Sequence, residues 1–231
     1  TVGRMKLHEF PYMFFLLFFA FFMPLGGVLI PRLGPRQTAF IGSALVGTGW
    51  ILAGYSETVG FLSLAYGVLG GMGVGIAYGV PLAVASRWFP DRRGVALGMV
   101  LMGFGLSPLI TAPLAAAVIS AFSLLPAFRI IGIGLFLLLL LLSITLRYPD
   151  SQEEALLPLS AETDTGRVSK ESTTREMLHS RSFYGLWSTY VIGTLVGLSA
   201  IGITGPFARQ AVGLTPGEAA IAVSAFAVCN G

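Results

Sequence analysis

Residues 61–94 read FLSLAYGVLGGMGVGIAYGVPLAVASRWFPDRRG. Positions 61 to 85 carry no charge, and the run then stops on Arg87, Pro90, Asp91, Arg92 and Arg93. An α-helix rises about 1.5 Å per residue, so some 20 residues cover the roughly 30 Å hydrocarbon core of a bilayer. In lipid, only a helix satisfies its own backbone over a single such segment. The stretch therefore predicts a membrane-spanning helix that leaves the bilayer at an arginine-rich turn. Within it Gly67, Gly71, Gly75 and Gly79 recur every four residues, a spacing that places them on one helix face. A stripe without side chains lets another helix backbone come close, a main source of helix association in lipid. Packing is the plain reading of this stripe. Such surfaces also permit the rocking that carriers need, but glycine alone does not identify a carrier.

Outward from this stretch the same pattern repeats. Apolar runs occupy residues 10–30, 38–56, 95–122, 124–146 and 183–205, and a further one begins near 216. None of the complete runs contains Asp or Glu, and Arg129 is the only strong base in any of them. Hydrophobic residues make up 55% of the chain and charged ones 11%, with a mean hydropathy of +0.81. Soluble domains run near a quarter charged, so most of this chain must sit in a solvent that does not hydrate charge. The expected fold class is an all-α, polytopic helical membrane protein. The run at 10–30 is too long and too aromatic for a secretory leader and is read as a permanent span. The net charge of +3 does not point to nucleic acid, because the bases lie in short loops rather than on one patch. Cys229 is the sole cysteine, so neither an internal disulfide nor a cysteine-based metal site is expected, and no cofactor is called for. His8 and His179 lie in or near loops without the serine, cysteine or carboxylate partners that catalysis needs, so an enzyme is not expected.

Arginine and lysine set the threading. The connections 31–37, 86–94 and 147–182 hold Arg32, Arg36, Arg87, Arg92, Arg93, Arg147, Arg167, Lys170, Arg175 and Arg181, whereas the other side holds Arg4, Lys6, Arg129 and Arg209. The ten-to-four bias puts those three connections in the cytoplasm and residue 1 outside. With Thr1 in place of an initiator methionine, one further span is expected before residue 1, and the apolar run reaching Gly231 is expected to continue.

The 147–182 connection, long, rich in Ser and Thr, and bearing five bases against seven acids, reads as a solvated linker between two halves. A short surface helix is expected around Arg175 to His179, with Ser182 as cap of the helix that follows. Thr215, Pro216, Gly217 and Glu218 have the spacing of a capping box with proline in the first turn, which assigns Glu218 to capping rather than to proton transport. Gly193 with Gly197, and Gly94 with Gly98, repeat the four-residue spacing.

Two arginine-bearing connections carry sharper information: Gly27-Val-Leu-Ile-Pro31-Arg32-Leu-Gly34-Pro35-Arg36, and Arg87-Trp88-Phe89-Pro90-Asp91-Arg92-Arg93-Gly94. Each reads as a tight turn with guanidinium forks near helix ends, where they can bond terminal carbonyls or pair with acids; ordinary topology-setting charge is the alternative. The first resembles the loop between helices 2 and 3 of the major facilitator superfamily, and its Gly34-Pro35-Arg36 ending is similar to the oxalate/formate antiporter family. That family also shows a helix 4 matched here by Tyr78, Gly79 and Pro81, ending in Trp88 to Gly94, and a Gly-Phe-Gly matched by Gly103 to Gly105. The monocarboxylate transporters share a looser version. The resemblance continues through Arg147, Tyr148 and Pro149 and through Phe183 to Trp187.

The resemblance implies a major facilitator fold present in part, helices 2 to 7 and some of helix 8. Residues 1–147 would belong to the N-terminal half, 148–182 to the cytoplasmic linker and 183–231 to the start of the C-terminal half. It implies an integral, multi-pass protein of the plasma or inner membrane that carries a small carboxylate, oxalate or formate or a monocarboxylate such as lactate or pyruvate. It further implies cytoplasmic gating by Gly27, Arg32, Gly34, Arg36, Asp91, Arg92, Arg93 and Gly94. One position departs: Pro31 stands where the family's loop has its acid. In the family the anion meets an arginine on helix 8 and a lysine on helix 11 within a box of aromatic residues; residues 1–231 would supply the aromatic side, Tyr78 and, where oxalate carriers have tyrosine, Phe104. The alternatives are an interfacial aromatic for Tyr78 and plain packing for Phe104. A seven-helix receptor or a channel-like protein is the competing reading for the whole.

Overall fold

The computed structural model describes residues 10–150, 152–153 and 174–210 together with 213, 215 and 218; of 174, 175 and 190, and of most residues from 196 to 210, it describes the backbone alone. The described residues form seven helices and no strand: α1 Phe10–Leu33, α2 Pro35–Ala53, α3 Val59–Trp88, α4 Arg93–Phe122, α5 Leu124–Thr145, α6 Thr174–His179 and α7 Arg181–Gln210. Among them α1, α3, α4 and α5 are each long and apolar enough to cross a membrane. The helices α2 and α7 also cover runs read as spans, with 19 and 30 residues.

The connections are shorter than the sequence suggests. Gly27 to Leu33 belong to α1, and the expected 31–37 loop reduces to Gly34 alone. Pro31 does not end α1, because in a last turn its missing N–H forfeits a single bond. Gly34 ends it: its φ of 83° suits glycine, its N–H reaches Ile30 O at 2.9 Å, and its carbonyl accepts both N–H and Oγ1 of Thr38. Thr58 caps α3 by accepting the N–H of Phe61 at 3.2 Å. Ser182 does not cap α7, since the helix already begins at Arg181. The capping box further on is formed: Glu218 accepts the N–H of Thr215 at 2.8 Å, and the Glu218 N–H points back to Thr215 Oγ1 at 3.4 Å.

The chain divides into two compact units, one comprising residues 1–100 and 117–158, the other 101–116 and 159–231. In the first, α3 packs against both α1 and α2, and α5 packs against α2. Lipid provides no hydrophobic drive to bury large side chains, so contact is made through small ones. Ala39, Ala53, Ala65 and Ala127 are buried, whereas Phe21 and Ile110 remain 76% and 73% exposed. The glycine stripe faces α1: a Cβ on Gly71 would meet Phe15 O at 2.5 Å, and one on Gly75 would meet Phe19 O at 2.6 Å. Gly73, off the stripe, fits α2 equally closely, with Val46 N at 2.6 Å. The helix α3 is thus a backbone-to-backbone wedge between two neighbours. Its Ser63–Gly70 segment is π-helical, a form often found at functional sites.

Hydroxyls within the helices are satisfied locally. Ser63, Ser86, Thr111, Ser143 and Thr145 each donate to a carbonyl three or four residues earlier, so these five hydroxyls are satisfied within their own helices.

Candidate functional site

On the arginine-rich face, the end of α3 is clasped to the exit of α5. Ile30, Ala39 and Val80 form a buried apolar floor on which Leu146 and Tyr148 rest. Above it, Trp88 Nε1 donates to Arg147 O at 2.9 Å, and the Arg147 guanidinium lies 5.2 Å from the Trp88 ring centroid. Arg87 stacks in turn over Tyr148 at 4.4 Å. Arg147 also forks onto Glu153, with NH1 to Oε2 at 2.6 Å and NH2 to Oε1 at 2.8 Å, a bidentate pair. These bonds, with a third from the Asp150 N–H, hold the Glu153 carboxyl down at about 2. Trp88, Arg147 and Tyr148 are among the residues that carry the family resemblance, and the structure brings them together. Glu153, by contrast, falls where the sequence suggests only solvated linker charge.

The remaining gating candidates are not gathered into one cluster. Arg32 and Arg36 are exposed on either side of Gly34, and neither makes an ion pair among the described residues. Asp91 pairs with its neighbour Arg92 at 3.5 Å, and Arg93 reaches back to Ser86 O at 3.4 Å. Gly27 and Gly94 are exposed, with open space where a Cβ would stand. The glycine that makes the close approach is Gly26, whose added Cβ would lie 2.5 Å from Ile76 O. Gly98 and Gly193 likewise face open space. Of the packing stripe, Gly67, Gly71 and Gly75 fit tightly against α1, and Gly79 more loosely, 3.6 Å from Ile30 Cδ1.

Tyr78 is half-buried on α3, its ring edge-on to Phe19 at 5.4 Å. That T-shaped contact orients the ring within the span. Phe104 lies on α4 in the second unit and is 65% exposed.

Near the opposite ends of the helices, sequence reading missed an aromatic cluster. Tyr66, inside the π-helical segment, stacks on Phe15 at 5.0 Å and meets Trp50 and Phe128 edge-on at 5.5 and 5.9 Å. Four helices contribute one ring each. The available signal was Trp and Tyr close to the predicted span ends, where amphipathic rings collect at membrane interfaces. Beside it, Arg129 of α5 lies over the Tyr55 ring at 4.9 Å. No group of His, Cys, Asp and Glu able to hold a metal occurs among the described residues.

Comparison with known proteins adds the context. Residues 9–231 match the family model for the Major Facilitator Superfamily. The chain is 33% identical over 208 residues to the Oxalate:formate antiporter of Oxalobacter formigenes, an alignment covering 90% of this chain and 48% of that protein. It is 36% identical over 109 residues to Apicoplast pyruvate carrier 1 of Toxoplasma gondii, covering 46% of this chain and 19% of that one. With Monocarboxylate transporter 13 of Rattus norvegicus it shares 37% over 91 residues, 39% of this chain and 21% of that one. The chain thus spans about half the length of the antiporter it matches, and less of the other two.

Proposed function

The chain belongs to the major facilitator superfamily, and from that premise we propose that it forms part of an alternating-access carrier for small carboxylate anions. It is an integral, multi-pass membrane protein and a transporter rather than an enzyme; a receptor is set aside by the family match. The observation that carries the substrate class is the 33% identity, maintained over 90% of the chain, with a protein named for oxalate and formate exchange. The pyruvate and monocarboxylate carriers among its relatives widen the range to monocarboxylates.

In this reading residues 1–147 belong to one rocking half, 148–182 to the linker and 183–231 to the start of the other half. Glycine-mediated contacts between α3 and its neighbours let the first half move as one body, since interlocked backbones resist internal shear. Tyr78 faces the anion: its hydroxyl donates to a carboxylate oxygen, and Phe19 keeps the ring from turning away. Phe104 is a second proposed anion contact in its own right, through its ring edge, the electropositive rim of an aromatic quadrupole. Arg32, Arg36, Arg92 and Arg93, with Asp91, act as the cytoplasmic gating residues. Oxalate, formate, lactate and pyruvate uptake into liposomes holding the full-length protein tests the assignment. Uptake of at least one, competed by the others, is expected, and failure of all four sinks the substrate class.

A further inference from the structure

Arg129 is the one strong base inside an apolar run, five residues beyond the start of α5, or about 8 Å along the helix axis at the usual rise. Its stem lies against Gly54, where an added Cβ would meet Arg129 Cγ, so the absence of a side chain at Gly54 makes room for it. The side chain leans toward the helix start, as helical side chains do, and its guanidinium comes to rest over Tyr55, two residues past the end of α2. It makes no ion pair and no hydrogen bond among the described residues. Nε is sealed from the surface without an acceptor; the terminal nitrogens are not. A guanidinium with only Nε sealed and its terminal donors open, one face on an aromatic ring and no carboxylate beside it, retains most of its capacity for a planar oxyanion.

We propose that Arg129 and Tyr55 form an oxyanion-binding site on the face opposite the arginine-rich turns, taking a carboxylate or phosphate group through the Arg129 terminal nitrogens. The oxyanion has two sources, a free carboxylate in solution or the phosphate of a phospholipid headgroup. The site is separate from Tyr78 and stands whichever anion is carried.

The test places a cysteine at Leu125, one turn nearer the helix start on the Arg129 face and 39% exposed, in full-length protein freed of other cysteines. Its modification by an anionic and by a cationic methanethiosulfonate reagent is compared in phosphatidylcholine vesicles. A unit charge about 5–6 Å away should favour the anionic reagent roughly tenfold in the ratio of rates, and Arg129→Gln should remove that preference. Oxalate that suppresses the preference identifies a free carboxylate as occupant; phosphatidylglycerol in the vesicles that suppresses it identifies a headgroup. Both results support the site. A preference that neither addition alters overturns it, as does a ratio unmoved by Arg129→Gln. Should Arg129→Gln fail to fold, the competition by oxalate and phosphatidylglycerol on the Leu125→Cys protein alone decides. Because none of these readouts is uptake, the site can fail while the transport reading stands, and the reverse.

Discussion

The indole of Trp88 gives its N–H to the carbonyl of Arg147 while the Arg147 guanidinium lies across the same ring, so two residues 59 positions apart are joined twice. The last turn of α3 is thereby tied to the first residues after α5. Trp88→Phe keeps a ring under the cation and loses the hydrogen bond; a loss of about 1 kcal/mol is expected. Trp88→Leu removes both and should cost about 0.5–1 kcal/mol more. Denaturation midpoints of the purified full-length variants in detergent check the order, and equal loss in both would remove the stacking contribution.

Acid should loosen the same clasp in a defined window. Glu153 is held at about 2 against an ordinary 4.5, chiefly by the hydrogen bonds from Arg147 and then by the Asp150 N–H. A depressed carboxyl contributes stability that is complete above its unfolded value and lost as pH falls toward the folded one. Between pH 5 and 8 the contribution is therefore expected to be flat, with its loss between about 4.5 and 2. Glu153→Gln should remove that component of the acid limb and leave the neutral range unchanged in slope. An unaltered acid profile in the variant would show that the pair contributes nothing measurable.

Adjacent glycines should behave differently. Gly26→Ala drives a methyl to within 2.5 Å of Ile76 O, backbone that cannot swing aside, and about 1–3 kcal/mol of overpacking is expected. Gly27→Ala meets open space and should be silent or slightly stabilising through helix propensity. Yield of folded protein and thermal midpoint are the readouts; the opposite ranking would mean that α1 is rotated from the register described.

Selectivity should follow two ring positions if the carboxylate reading holds. A hydrogen bond to a charged group is worth about 1.5–3 kcal/mol, so Tyr78→Phe should weaken apparent affinity roughly 10- to 100-fold. Phe104→Tyr adds a donor and should favour oxalate over lactate. Competition of labelled uptake by unlabelled anions measures both, and an unchanged KM for every anion in Tyr78→Phe would remove the tyrosine from the site.

The helices were legible because hydropathy and arginine placement report on the bilayer, which acts on each segment separately. Their ends were less so. Pro31 looked like a break, but the helix continues through it to Gly34, whose positive φ is a backbone property that no pattern of hydropathy encodes. The capping box at Thr215 and Glu218 was readable because both partners lie three residues apart. The clasp from Trp88 to Arg147 and Glu153, and the ring cluster about Tyr66, join residues distant in sequence, so their geometry waits on packing. Spacing made Gly67, Gly71 and Gly75 a stripe, yet the same spacing at Gly94 and Gly98 meets nothing. Periodicity names a face of a helix, not what lies opposite.

A single residue, Gly34, separates α1 from α2. Two rods sharing so short a joint cannot slide past each other, and the wedge of α3 between them keeps their far ends, Phe10 and Ala53, from splaying. Over a rod of about 30 Å, a five-degree change of angle at the joint would displace the far tips by roughly 3 Å. The close glycine contacts along α3 are therefore what keeps the aromatic rings at the far ends in register.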